Sequence, residues 1–222
     1  MKFYQKLDGG VHKSAREYDV AYNADIKRGQ LVKLSGGKAV SAVAAETGAL
    51  LGVAAESHSG TADALDPRAN GTKLLVVDDP DAVYQCAAPQ ITASGGSATT
   101  LEFTAGQYFA NDDFNGGYVK LVSKGTGSTN TDKIGTVRAI TDYAVTASTK
   151  GTFTIVSGGT PASGDVYAVF PPAGFAKGNL NAARTGIVLS ASASLAIRVI
   201  GRDLDRDAIN VMIRKHALAV DA

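Results

Sequence analysis

No stretch of this chain repeats apolar residues at helical spacing for more than a turn or two, and Ser41–Thr47 and Gly178–Ala183 are the only candidates for even that. Instead, runs of about four to eight small, β-branched or aromatic residues are each closed by a turn bearing Gly, Pro, Asn or Asp. That rhythm confines the chain to an all-β fold of antiparallel sheets. The side chains agree with it. With 25 glycines, two methionines, seven phenylalanines and no tryptophan in 222 residues, the core falls to small and branched residues, which suit thin sheets better than helical bundles.

Residues 1–24 are polar and mixed in charge, without clear periodicity. They read as an N-terminal arm that either frays or orders on a neighbour, and its aromatics Phe3, Tyr4, Tyr18 and Tyr22 are the candidate protein-contact residues. From Ile26 the texture changes. Leu31-Val32-Lys33-Leu34, the turn Ser35-Gly36-Gly37-Lys38 and Ala39-Val40 form a hairpin signal. Short strands follow at Ala49–Ala54, Thr72–Val77 and, after the breaker Asp78-Asp79-Pro80-Asp81, Ala82–Ala87.

Pro89 and Ser94-Gly95-Gly96-Ser97 look like a junction. The block beyond is Thr-rich, Gly-rich and richer in Phe and Tyr, with strands expected at Thr100–Phe103, Gly117–Ser123, Lys133–Ile140, Gly151–Val156 and Asp165–Phe170. Such spacing predicts a small barrel or sandwich. Arg184–Ser190, Leu195–Gly201 and Ala208–Lys215 then return to the earlier Ala/Val/Ile texture. In the last, Ile209, Val211 and Ile213 alternate with Asn210, Met212 and Arg214 as in a half-buried strand. The expected organisation is therefore a discontinuous β-barrel or sandwich domain, 25–88 with 173–222, carrying a second small β-barrel module at 89–172.

Charge and chemistry narrow the function. Lys and Arg number 22 against 21 Asp and Glu, so the surplus of positive charge that nucleic-acid binding draws on is missing. No apolar run approaches a membrane span, and Met1–Asp8 carries no signal-peptide core. A lone Cys86, within Ala82–Ala87, excludes an internal disulfide framework and is expected as a small buried hydrophobe in a chain made in a reducing cytoplasm.

Each possible site fails at a residue. His12, His58 and His216 lie far apart in sequence. His58 has Ser57 and Glu56 beside it, but a catalytic triad draws its members from separate loops. Asp203, Asp205 and Asp207 open like a calcium loop, yet Ala208-Ile209 replaces its glycine and Arg214 its final Glu, so a charged hairpin turn is expected. Asp78, Asp79 and Asp81, like Asp112-Asp113, read as turn chemistry. Ser35-Gly36-Gly37-Lys38 lacks both the Ser/Thr and the earlier glycine of a phosphate loop. Neither a cofactor nor a metal is expected, and the chain reads as non-enzymatic.

Lys27-Arg28-Gly29-Gln30-Leu31-Val32-Lys33-Leu34, Ala49-Leu50-Leu51-Gly52-Val53-Ala54-Ala55-Glu56 and Leu74-Leu75-Val76-Val77 resemble the small β-rich head proteins of tailed bacteriophages. Asp113–Val119, Gly135–Tyr143 and Gly164–Pro171 resemble a β-module inserted in some phage capsid-associated proteins. The resemblance implies a capsid decoration (cement) protein on the outer surface of the virion, synthesised in the bacterial host cytoplasm. Its implied partners are the major capsid protein and itself, as a homotrimer, with no nucleic acid and no membrane. It carries over no catalytic residues. The competing readings are a tail, baseplate or head-fibre component, and a carbohydrate-binding module using Tyr108, Phe109, Phe114, Tyr118 and Tyr143.

Overall fold

The computed structural model describes residues 1–6, 15–21, 24–59, 73–104, 109–147, 150–189, 194–214 and 217. Among them the chain is all-β: seventeen strands and no α-helix. The first seven strands are β1 (Lys2–Lys6), β2 (Ala15–Asp19), β3 (Leu31–Ser35), β4 (Lys38–Ser41), β5 (Gly52–Ala54), β6 (Lys73–Val77) and β7 (Ala82–Ala87). Six follow as β8 (Gln90–Ser97), β9 (Thr100–Phe103), β10 (Tyr118–Ser123), β11 (Val137–Ala147), β12 (Lys150–Ile155) and β13 (Val166–Phe170). The last four are β14 (Asn179–Leu180), β15 (Ile187–Val188), β16 (Ile197–Asp203) and β17 (Ala208–Ile213).

Strands β8 to β13 close into a barrel in the order β10-β11-β12-β9-β8-β13. Six staves allow every neighbour to be antiparallel, and all are. Side chains alternate with the pleat, so β12 buries Gly151, Phe153 and Ile155 while Lys150, Thr152 and Thr154 are half-exposed. Strand β8 occupies the stretch expected to be a junction. Gly95 and Gly96, at φ 150° and 156°, let it swing past β9, where a Cβ on Gly96 would stand 2.2 Å from the Thr100 carbonyl oxygen. Strand β11 starts later than expected, because Lys133–Thr136 is a turn closed by Thr136 N–H to Lys133 O, and it runs on through Tyr143.

Strands β2-β6-β5-β3-β4 form a second sheet. The hairpin β3–β4 turns through Gly36 and Gly37, both at positive φ as a type I′ turn requires. Five antiparallel staves leave the two outer ones parallel. A parallel bridge, Val20 to Ala39, with Ala21 N–H donating to Ala39 O at 3.1 Å, draws the sheet round on itself. Val20, Ile26, Val32, Ala39, Leu51, Ala54, Leu74 and Val76 fill its interior.

Strands β1-β7-β17-β16 form a four-stranded sheet. Its inner face joins Tyr84, Cys86, Val199, Ile209 and Val211 to the large-barrel residues in one continuous apolar core. Met212, expected to face outward, is buried because the Arg198 guanidinium lies over its sulfur at 3.7 Å. Neither helix candidate is helical. At Ser41–Thr47 the buried Glu46 carboxylate instead takes the Val43 and Gly48 amides and the Lys33 ammonium, which makes a turn.

Six aromatic rings gather at one end of the large barrel. Phe114 touches Phe109, Tyr143, Phe153 and Phe175 with ring centroids 5.0–5.1 Å apart, mostly edge-on. Phe114→Ala is expected to cost about 3–5 kcal/mol in chemical unfolding, whereas Ile134→Ser, at a side chain 64% exposed, is expected to stay within about 0.5 kcal/mol.

Candidate functional site

Structural contacts absorb the residues from which chemistry was sought. Ser57 Oγ accepts the Arg28 amide and Glu56 Oε1 the Leu75 amide, so neither forms a relay with His58. His58 itself bridges Ile26 through its backbone. His12 and His216 lie outside the described residues. Asp203 caps the Arg206 amide in the β16–β17 turn, and Asp207 meets Lys120 Nζ at 2.7 Å. Asp113 takes Lys177 at 2.7 Å. Among the described residues no three His, Cys, Asp or Glu side chains are grouped to hold a metal. Burial pushes the Cys86 thiol up to about 11, away from the thiolate that a reactive cysteine needs.

A carbohydrate platform would need aromatic faces in solvent. Phe109, Phe114 and Tyr143 are buried in the core, and Tyr118 lies under the Arg202 guanidinium, 4.2 Å from its centroid. Tyr108 lies outside the described residues. The four described aromatics among these are thus spent on packing.

The end of the large barrel opposite the aromatic rings is polar. Asp165 is fully buried and accepts Gly125 N–H at 2.9 Å, Asn130 Nδ2–H at 2.9 Å and Ala162 N–H at 3.1 Å. Asn130 also donates to the Tyr167 hydroxyl at 2.8 Å. Arg138 points in beside them, paired with Asp132 and donating to Gly159 O at 2.8 Å. Burial alone would raise the Asp165 pKa, but these hydrogen bonds outweigh it and hold the carboxyl below its usual value. The cluster ties the loops at 124–136 and 157–165 together.

The arm residues fall in three places. Phe3 and Tyr4 lie on β1, which pairs antiparallel with β7, Phe3 opposite Tyr84. Tyr18 lies on β2, where its hydroxyl donates to Asp78 Oδ2, and Tyr22 lies outside the described residues. Strand β2 pairs with β6 from Ala15–Val77 to Asp19–Lys73. Asp78, only 2% exposed, also receives Arg16 Nε at 3.5 Å and so holds β2 from two side chains. Burial and the Asp78 carboxylate push the Tyr18 phenol up to about 12. Sequence reasoning read Asp78 only as turn chemistry, since nothing local marks a partner sixty residues away.

Beside β7 a cleft of about 710 Å³ opens between Gln85–Gln90, Asn181, Thr185–Val188 and Arg206. Arg206 lines it together with Met1, whose α-ammonium donates to Gly29 O at 2.6 Å. The chain matches no protein-family model, no curated protein and no solved structure.

The carboxylates Asp165 and Glu46 both have pKa values lowered by folding. Each therefore contributes stability that is full above the ordinary carboxylate pKa of about 4 and is lost as pH falls through the lower folded value. Thermal unfolding is expected to drop steeply below about pH 4. Asp165→Asn should cost about 2–3 kcal/mol at neutral pH and flatten that acid limb. An unchanged acid limb in the variant would contradict this assignment.

Proposed function

We propose that the protein is a non-catalytic virion component that binds the outer surface of a phage capsid and stabilises the shell. The self-partner in this reading is a homotrimer. The observation that carries the proposal is the way residues 1–6 and 15–21 meet the rest of the chain: β1 pairs along the β7 margin, and β2 pairs along the β6 margin, where Asp78 also holds Tyr18 and Arg16. Strand addition of that kind is a general means by which one protein fastens to another, because the backbone supplies affinity at any sheet edge. A near-neutral surface suits a protein that faces solvent outside the packaged nucleic acid. On a shell that presents one site many times, modest contacts gain from avidity when one oligomer touches several neighbours. The likeness of its strand motifs to phage head proteins points the same way.

The test is to mix purified protein with undecorated shells of the major capsid protein from the same phage. Saturable binding at a fixed ratio to capsid subunits, with a rise in the shell's unfolding temperature, is expected. A protein that stays in the supernatant and leaves shell melting unchanged would overturn the proposal.

A further inference from the structure

Strand β2 is held to the molecule in an unusual way for a strand of its sheet. Four of its five side chains, Ala15, Arg16, Glu17 and Asp19, are exposed, and Tyr18 is half-buried. It therefore gains little from apolar burial. What fixes it is its ladder with β6, the Asp78 carboxylate gripping Tyr18 and Arg16, and Val20 just beyond, buried in the core of the five-stranded sheet. On its other side a single parallel bridge, Val20 to Ala39, meets β4. Strand β1, on the same stretch of chain, belongs to another sheet and covers the β7 edge. A strand that buries few apolar groups opens at a lower free energy than the core around it. Opening leaves the main-chain groups of β6 and β7 bare, and such edges recruit another strand.

We propose that β1 and β2 form an exchangeable strap, which in the assembled protein lies on the β7 and β6 edges of a second copy of this chain. The occupant is set by complementarity. The β6 edge ends in a buried carboxylate that takes one phenol and one guanidinium two residues apart, and leads to a core socket for a valine two residues further on. Arg16, Tyr18 and Val20 meet that pattern, and every copy carries it. Exchange keeps each of these contacts and only changes which chain supplies them, so concentration decides between the two forms. A short tether gives a strap an effective concentration of about 1 mM at its own edges. Below that the closed monomer prevails. Copies held side by side on a repeating surface exceed it. The inference extends the surface-binding reading but does not depend on which surface is bound.

Asp19 and Lys73 are directly opposite in the β2–β6 register, and both are exposed. They suit a cross-link that leaves the core untouched. Asp19→Cys and Lys73→Cys are made in separate chains of different mass, with Cys86 left in place as a buried thiol. The two are mixed at about 10 μM and near the 1 mM tether concentration, equilibrated and mildly oxidised. The expected product is a disulfide-linked heterodimer, at least tenfold more abundant in the concentrated sample, with each variant alone giving far less. Adding Asp78→Asn to both chains, which weakens the grip on Tyr18 and Arg16, should speed its appearance several-fold. The doubly substituted single chain is the positive control, since its own strap closes the same disulfide within one molecule. If that chain closes and the mixture gives no heterodimer at either concentration, strand exchange is excluded. If heterodimer forms at a rate Asp78→Asn does not alter, the Asp78 grip is not what retains the strap. Shell binding without heterodimer would reject exchange and leave the surface-binding proposal standing.

Discussion

Phe114 stands where four parts of the chain meet. Its ring touches Tyr143 on β11, Phe153 on β12, Phe109 at the entry to its own loop, and Phe175 on the segment leaving the barrel. Without that node the large barrel would have an open apolar end. The departing chain would also lack the anchor from which Gly174 N–H reaches Val199 O and Val199 N–H reaches Phe175 O. Those two bonds seat β16 beside the barrel, and β16 positions β17 and β7 in turn. On the barrel wall, Lys120 donates to Leu204 O and Arg202 covers Tyr118, so the tip of the β16–β17 hairpin is fastened as well. A chain with no tryptophan and few phenylalanines concentrates its large rings where they join elements rather than spreading them through each sheet.

The polar interior follows the same economy. Asp165, Glu46 and Asp78 are each buried; Asp165 joins two barrel loops and Asp78 joins β2 to the end of β6, segments far apart in sequence, while Glu46 ties the 42–48 turn to the neighbouring β3 strand. A buried carboxylate is costly unless donors surround it, so these residues specify geometry more than they add net stability. The three differ in their donors. Asp165 and Glu46 draw on amides fixed by the local fold, whereas Tyr18 and Arg16, which reach Asp78 Oδ2, both come from β2. The grip on the strap therefore depends on the strap being in place.

Much of the architecture was legible from local pattern. The type I′ hairpin at Ser35-Gly36-Gly37-Lys38, the breaker after Val77, the burial of Cys86 and the all-β class each rest on chemistry contained within a few residues. What stayed hidden was set by distant partners. Strand β8 reads as a linker because Ser94–Ser97 has almost no apolar content, and it becomes a strand only because β9 and β13 flank it. Strand β2 shows no apolar periodicity because its ladder to β6 and the Asp78 grip on Tyr18 and Arg16 hold it rather than apolar burial, and a ladder leaves no mark in the sequence of an edge strand. The grip of Asp78 on Tyr18 was out of reach for the same reason. The aromatics that looked available for a ligand were legible as core only once Phe175 was seen to pack on Phe109 and Phe114.

The aromatic node and its continuous core make the large barrel and the four-stranded sheet one cooperative unit. Scanning calorimetry tests it directly. One unfolding transition is expected for these two elements, with the calorimetric enthalpy equal to the van't Hoff enthalpy. Two separated transitions, one removed by Phe114→Ala and the other unaffected, would contradict it.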